Sequence, residues 1–171
     1  MEISKAEPFS VPRIAQLTQK TNQMNLTTRR YTEAEIVDTI ADPARNAFSI
    51  AARDKFGDNG IIGVIILELD GSKCRIDTFL LSCRVIGRKI EDAVMAFIAD
   101  FAQRHGAKHL IGEFFPTAKN APAAGMYEAM GFERLGDTQF RADLRMHDFA
   151  SPSFIALKTA EEESRTLSES A

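Results

Sequence analysis

The stretch Arg75-Ile76-Asp77-Thr78-Phe79-Leu80-Leu81-Ser82-Cys83-Arg84-Val85-Ile86-Gly87-Arg88-Lys89-Ile90 decides how the rest of the chain is read. Arg75 to Ser82 has the apolar and β-branched content of a strand. From Lys89 to His105 the period changes, and Ile90, Ala93, Val94, Phe97, Ile98 and Phe101 recur on one helical face. Gly106 is placed to stop that helix. The loop between strand and helix carries Arg84, Arg88 and Lys89 around Gly87. A strand–loop–helix junction presents unpaired backbone N–H groups and the positive end of the helix dipole. Cations are disfavoured in a first helical turn, so this clustering points to an anion site, with Gly87 allowing close backbone approach. The alternative is a solvated helix start.

Upstream, Ile61 to Leu69 is a nearly continuous β-branched run, the pattern of a strand buried on both faces, and Asp70-Gly71 marks a tight turn after it. Ala47 to Phe56 alternates and ends at Gly57-Asp58-Asn59-Gly60, a hairpin turn signal. Three strands joined by two short turns run antiparallel. Before them, Pro12 opens a helix with Ile14, Leu17 and Met24 near helical spacing. Thr32 and Glu35 form a capping-box pattern for a second helix, with Ala34, Ile36, Val37 and Ile40, ended by Pro43. Downstream, Lys108 to Phe115 reads as a strand, Asn120 to Met130 as a helix stopped by Gly131, and Phe132 to Phe140 as a strand. A last strand includes Phe149 or spans Phe154 to Ala156. The order α-α-β-β-β-α-β-α-β-β predicts an α/β (α+β) domain, a mixed sheet with helices on both faces.

A length of 171 residues suits one domain, and 44% hydrophobic with 26% charged residues suits a soluble one. Residues 1–8 are expected to be loose and 9–157 to form the domain. The polar tail 158–171, KTAEEESRTLSESA, is expected to be disordered. A formal charge of −3 gives no global field for nucleic acid or an anionic membrane, although a local basic site can hold an anionic cofactor. No apolar run approaches the ~20 residues of a membrane span, and the N-terminus lacks a signal-peptide pattern, so a cytoplasmic protein is expected. Cys74 and Cys83 are nine positions apart on one apparent strand and face opposite ways, which argues against a disulfide. His105, His109 and His147 have no ligand spacing, and no metal is expected.

Arg84-x-x-Gly87-x-Lys89 resembles the pyrophosphate motif of the GNAT superfamily, Gln/Arg-x-x-Gly-x-Gly/Ala, except that Lys89 stands where a small residue is usual. Asn120-x-x-Ala123-x-x-Met126-Tyr127-x-x-x-Gly131-Phe132 is similar to that family's second pattern position by position. The resemblance implies the GNAT fold, a mixed, mostly antiparallel central sheet of six to seven strands flanked by helices. It implies acetyl-CoA, or another acyl-CoA, as cofactor. The implied cofactor contacts are Leu81, Ser82, Cys83, Arg84, Val85, Gly87, Arg88 and Lys89, with Asn120, Ala123 and Tyr127 along the pantetheine arm. Backbone N–H groups near Leu81 to Cys83, where the sheet splays, would hold the oxyanion. Tyr127 is implied as the general acid for the CoA sulfur; the residues alone equally describe a core aromatic.

A narrower resemblance runs from about Phe9 to Arg145, through Arg13-Ile14-Ala15-Gln16-Leu17, Thr21 to Arg30 (TNQMNLTTRR), Phe56 to Gly60, Ile76-Asp77-Thr78 and Pro116 to Asn120. These stretches resemble the C-terminal GNAT-like domain of FkbH-like proteins, which load glyceryl units onto acyl carrier proteins. The HAD-type phosphatase-like half of those proteins, with its Asp-x-Asp motif, has no counterpart in these residues. The resemblance adds an acyl carrier protein to small molecules as a candidate partner, and the family's habit of pairing late strands makes a homodimer an expectation. In TNQMNLTTRR, Asn22, Asn25, Thr27, Thr28 and Arg29 are candidate acceptor contacts, or else a polar network tying helices to sheet. An amine must lose its proton before attacking a thioester. Glu113, on the strand after the junction in an otherwise apolar run, is the first candidate base. Asp77 is the second and a further acceptor candidate; either acid could instead be structural. Direct acyl transfer leads, and a non-catalytic module binding CoA or carrier-protein phosphopantetheine is the rival.

Overall fold

The protein is described here by a computed structural model covering residues 1–55 and 57–159. In chain order the elements are β1 (Glu2–Lys5), α1 (Val11–Lys20), β2 (Met24–Asn25), α2 (Glu33–Ala41), β3 (Arg45–Asp54), β4 (Gly57–Asp70) and β5 (Lys73–Leu81). They continue with α3 (Ile90–Arg104), β6 (His109–Glu113), α4 (Met126–Ala129), β7 (Glu133–Arg134), β8 (Gln139–Asp143) and β9 (Lys158–Thr159). The strands make one sheet in the order β7-β8-β6-β5-β4-β3-β1-β9, with β2 added to β5.

The β3–β4–β5 meander is the expected antiparallel centre, and Ile62 to Leu67 are buried without a break. α1 and α2 lay Ile14, Leu17 and Ile36 on one face against Val64, Ile66 and Leu80. α3 and α4 cover the other face, where Val94, Phe97, Ile98 and Tyr127 join Ile65, Leu67, Phe79 and Leu81. Each residue alternation in the central strands is thus buried on one side or the other, which is why the run reads as continuously apolar. Thr32 and Glu35 make both capping-box bonds at the start of α2. One residue interrupts the β4–β5 ladder. Leu67 faces Ile76 while Ile66 faces Thr78, leaving Asp77 as a bulge.

Several sequence expectations are corrected. Residues 1–8 are not loose: β1 pairs along β3, and Ile3 is 1% exposed. Met24 is not in the first helix, which ends at Lys20. Asp54 pairs with Gly57, so Gly57 to Gly60 begin β4 instead of forming the turn; Asp58 accepts the Gly60 N–H at 2.7 Å, and the strand is irregular there. Phe56 lies outside the described residues. The segment read as a helix over Asn120 to Met130 breaks into a 3-10 turn (Ala121–Ala123) and the single turn α4, because Pro122 and Gly125 interrupt it. Phe132 to Phe140 is not one strand but the β7–β8 hairpin, closed by Leu135 N–H on Gln139 O at 2.9 Å over a loop containing Gly136. No strand forms at Phe149 or Phe154 to Ala156; the last strand is β9, parallel to β1. Lys158 and Thr159 of the expected disordered tail are therefore in the sheet, and the remainder of that tail lies outside the described residues. Among the described residues the nine strands exceed the six to seven expected, with β2, β7 and β9 contributing two residues each. Among the described residues no helix is long and apolar enough to cross a membrane.

Candidate functional site

The β5–α3 junction is anchored from both ends. Ser82 N–H donates to Ile62 O at 2.7 Å, holding the end of β5 on β4. Cys83–Val85 forms a 3-10 turn whose Val85 is buried, and Gly87 turns with φ 79°. Lys89 caps α3 with φ 62°, left-handed backbone that side chains other than glycine disfavour by about 1 kcal/mol or more. That backbone explains why a small residue suits this position and makes Lys89 a costly choice. Arg88 pairs with Asp54 at 2.8 Å and Lys89 with Asp92 at 3.2 Å. Among the described residues Arg84 has no carboxylate partner; it donates only to Ser82 Oγ at 3.4 Å. Beside it a cleft of about 640 Å³ opens between the end of α1, the end of β5 and the loop before α4, with Arg13, Lys20, Lys119, Ser82 and Cys83 in its lining.

The expected open edge of β5 is filled. β5 and β6 run parallel from Lys73 opposite His109 to Ile76 opposite Gly112, then part. In the gap, Met24 pairs with Leu81 and Asn25 with Leu80. Leu26 N–H donates to Phe79 O at 3.2 Å, and Leu26 O accepts Phe115 N–H at 2.9 Å. One extended segment thus bridges the two strands, because Met24 and Leu26 are apolar and enter the core. Asn120 is 0% exposed, and its Nδ2 donates to Asn25 O and Phe115 O at 3.0 Å each while Oδ1 accepts Thr117 N–H at 2.7 Å. Asn25 is equally buried, accepting Thr28 N–H at 2.9 Å. In this conformation both asparagines tie the segment down. Ala123 is buried beside them in the core.

Tyr127 is 2% exposed, with its ring 4.9 Å from Phe132, 5.3 Å from Phe140 and flat against Gly112. Burial raises its pKa far above the ordinary phenol value, and the Glu113 backbone beside the hydroxyl offsets part of this. The hydroxyl is sealed from solvent.

On the α1/α2 face the bulge turns Asp77 into a cluster of charge. Its carboxylate lies 3.2 Å from Arg75, 3.5 Å from Arg29 and 3.6 Å from Arg45, and accepts the Tyr31 hydroxyl at 2.5 Å and Thr78 Oγ at 3.0 Å. Thr27 Oγ donates to the Asp77 carbonyl at 2.9 Å. Burial, then the neighbouring Asp77, raises the Tyr31 pKa. Glu113 Oε2 takes Arg29 at 2.9 Å and Arg75 at 3.1 Å, and Arg75 also pairs with Glu68. The apolar setting expected for Glu113 is therefore wrong: its strand neighbours are apolar, but its side chain meets two guanidiniums. The structure brings Arg29, Asp77 and Glu113 together and leaves Asn22 apart, accepting from Arg30 at 2.8 Å beside the cleft. Thr28 sits between the two groups with φ 54°. Tyr31, Arg45 and Arg75 were missed. Arg75 shares a face with Glu68 by simple cross-strand register, a signal present in the pattern; nothing local marks Tyr31.

Both cysteines are free, Cys74 buried and Cys83 exposed. Burial pushes the Cys74 thiol up to about 12. A thiol reagent at pH 8 should modify Cys83 alone in the native protein and both residues after denaturation, read by intact mass. Rapid double labelling would contradict the packing around Cys74.

No family model matches the sequence, and no curated protein matches it. Solved structures do. The spermidine/spermine N-acetyltransferase SpeG of Vibrio cholerae, in a mutant form, aligns with TM-score 0.63 and 14% identity over 84% of this chain and 93% of its own. Ard1 from Thermoplasma volcanium aligns with TM-score 0.63 and 15% identity over 82% and 95%. The ribosomal-protein-S18-alanine N-acetyltransferase of Escherichia coli aligns with TM-score 0.63 and 13% identity over 90% and 97%. At such identities the likeness is one of fold. The chain has the fold of the GNAT N-acetyltransferases.

Proposed function

We propose that the protein is a GNAT-type acyltransferase that moves an acyl group directly from acetyl-CoA, or another acyl-CoA, to an amine-bearing acceptor. The observation that supports this best is the β5–α3 junction. Among the described residues its Arg84 lacks a carboxylate partner, beside a cleft whose lining includes Arg13, Lys20 and Lys119, an arrangement suited to a pyrophosphate. In this reading the neutral amine attacks the thioester carbonyl, the oxyanion collapses, the C–S bond breaks, and the departing thiolate takes a proton. Glu113 faces the acceptor side as proton acceptor, with Arg29 and Arg75 orienting its carboxylate. Tyr127, kept protonated by burial, is the proton donor once its hydroxyl is reached. The FkbH-like resemblance makes a carrier protein's phosphopantetheine the other candidate ligand, and the setting proposed for either is the cytoplasm.

Calorimetric titration with acetyl-CoA tests the reading. The intact protein should bind, and an Arg84→Ala, Arg88→Ala double variant should bind about 10- to 100-fold more weakly. That is less than two charge-assisted bonds would give in a buried site, since both side chains are open to solvent. Equal binding by the variant would remove the pyrophosphate from this loop. Absence of binding would turn the search to carrier proteins.

A further inference from the structure

We propose that Met24–Leu26 is a displaceable strand that competes with the extended arm of an acyl-CoA for the slot between β5 and β6; the proposal rests on the acyl-CoA reading above. The slot is one extended chain wide. Its occupant is bonded to Phe79 O of β5 on one side and to Phe115 N–H beyond β6 on the other. A pantetheine arm carries two secondary amides along an extended chain, the donor and acceptor pattern of a two-residue strand. Replacement of one by the other conserves backbone hydrogen bonds.

Three features make the occupant displaceable. Its ladder has two residue pairs, so little backbone pairing is lost when it leaves. Thr28, which follows it, is a β-branched residue held at φ 54° by the Asn25 side chain, a strained conformation that departure would relax. Asn120 Nδ2, now on Asn25 O, is a donor that an incoming amide can take over. The Tyr127 ring rests on Gly112, where β6 parts from β5. The cleft beside Arg84 has Thr21, Asn22 and Gln23 in its lining, the residues that lead into the strand. A ligand anchored by its pyrophosphate therefore meets this end first.

The consequence is that apparent affinity for acyl-CoA falls by the fraction of molecules in which the strand is seated. Hydrogen exchange measured by mass spectrometry, with and without saturating acetyl-CoA, reads the displacement. Amides over 24–27 should exchange at least ~tenfold faster in the bound protein, against the slowing that a merely rigidifying ligand produces. Leu26→Ala, which removes the buried anchor of the strand, should bind acetyl-CoA ~tenfold more tightly than the intact protein. Unchanged or slower exchange over 24–27 in protein that has bound acetyl-CoA overturns the displacement and leaves the acyl-CoA reading standing. Unchanged affinity in a folded Leu26→Ala protein does the same. Absence of binding by both proteins overturns the two together, since the strand then has no ligand to compete with.

Discussion

Asp77→Ala should lose about 3 kcal/mol of folding stability, measured by urea denaturation. Removing one member of a buried ion group typically costs about 3–5 kcal/mol, because its partners are left uncompensated. The lower end applies here. Asp77 is 3% exposed, but Arg29, Arg45 and Arg75 keep partial access to water, and Arg29 and Arg75 retain Glu113. Arg45 and the Tyr31 hydroxyl lose their acid altogether. Asp77→Asn should cost about half as much, since it keeps an oxygen for Tyr31 and the shape of the bulge while losing the charge. A loss below about 1 kcal/mol for Asp77→Ala would mean that the cluster is a solvated set of surface pairs. On the proposed reading, in which Glu113 is the proton acceptor, the Asp77→Ala variant should weaken catalysis more than donor binding, because Arg29 and Arg75 hold the Glu113 carboxylate.

Gly112→Ala should cost about 3 kcal/mol, the upper end for an overpacked core. A Cβ at this position would lie 2.5 Å from Tyr127 Cζ and 2.6 Å from Cε1. The ring has no room to slide, being bracketed by Phe132 and Phe140. An unhindered Gly→Ala change stabilises by about 0.4–1 kcal/mol, so even the sign of the effect reports the contact. Pairing the change with Tyr127→Ala gives a sharper measurement. The two losses should be strongly non-additive, because the smaller side chain makes room for the new methyl group. Additive losses would place the strain elsewhere in β6.

How much of this was readable before the structure differs from element to element. The two-sided burial of Ile61 to Leu69, the helical face from Ile90 to Phe101 and the Thr32–Glu35 cap are local patterns, and each appears where its period or spacing placed it. The junction around Gly87 was legible for the same reason: a strand, a left-handed turn and a helix start are short-range features. The readings that failed were those in which a local pattern met a distant partner. Met24 has helical spacing from Leu17 but lies in a strand, because it pairs with Leu81 on the edge of β5 beyond the end of the β6 pairing. Glu2 to Lys5 look like a polar start, yet β3 offers an open edge for them.

The candidate site divides along the same line. Composition, periodicity and turn chemistry were enough for the α/β class, the order of the central elements and the cationic loop. They could not reveal that Asp77 is the extra residue of a bulge, since a bulge is a relation between two strands. Nor could they show that Arg29, Arg45 and Arg75 converge on it from three separate segments. Asn25 and Asn120, 95 positions apart, meet through one hydrogen bond beside the segment that bridges β5 and β6. Pairings of that kind depend on which backbone edges remain unsatisfied after the sheet has formed, and that count exists only in three dimensions.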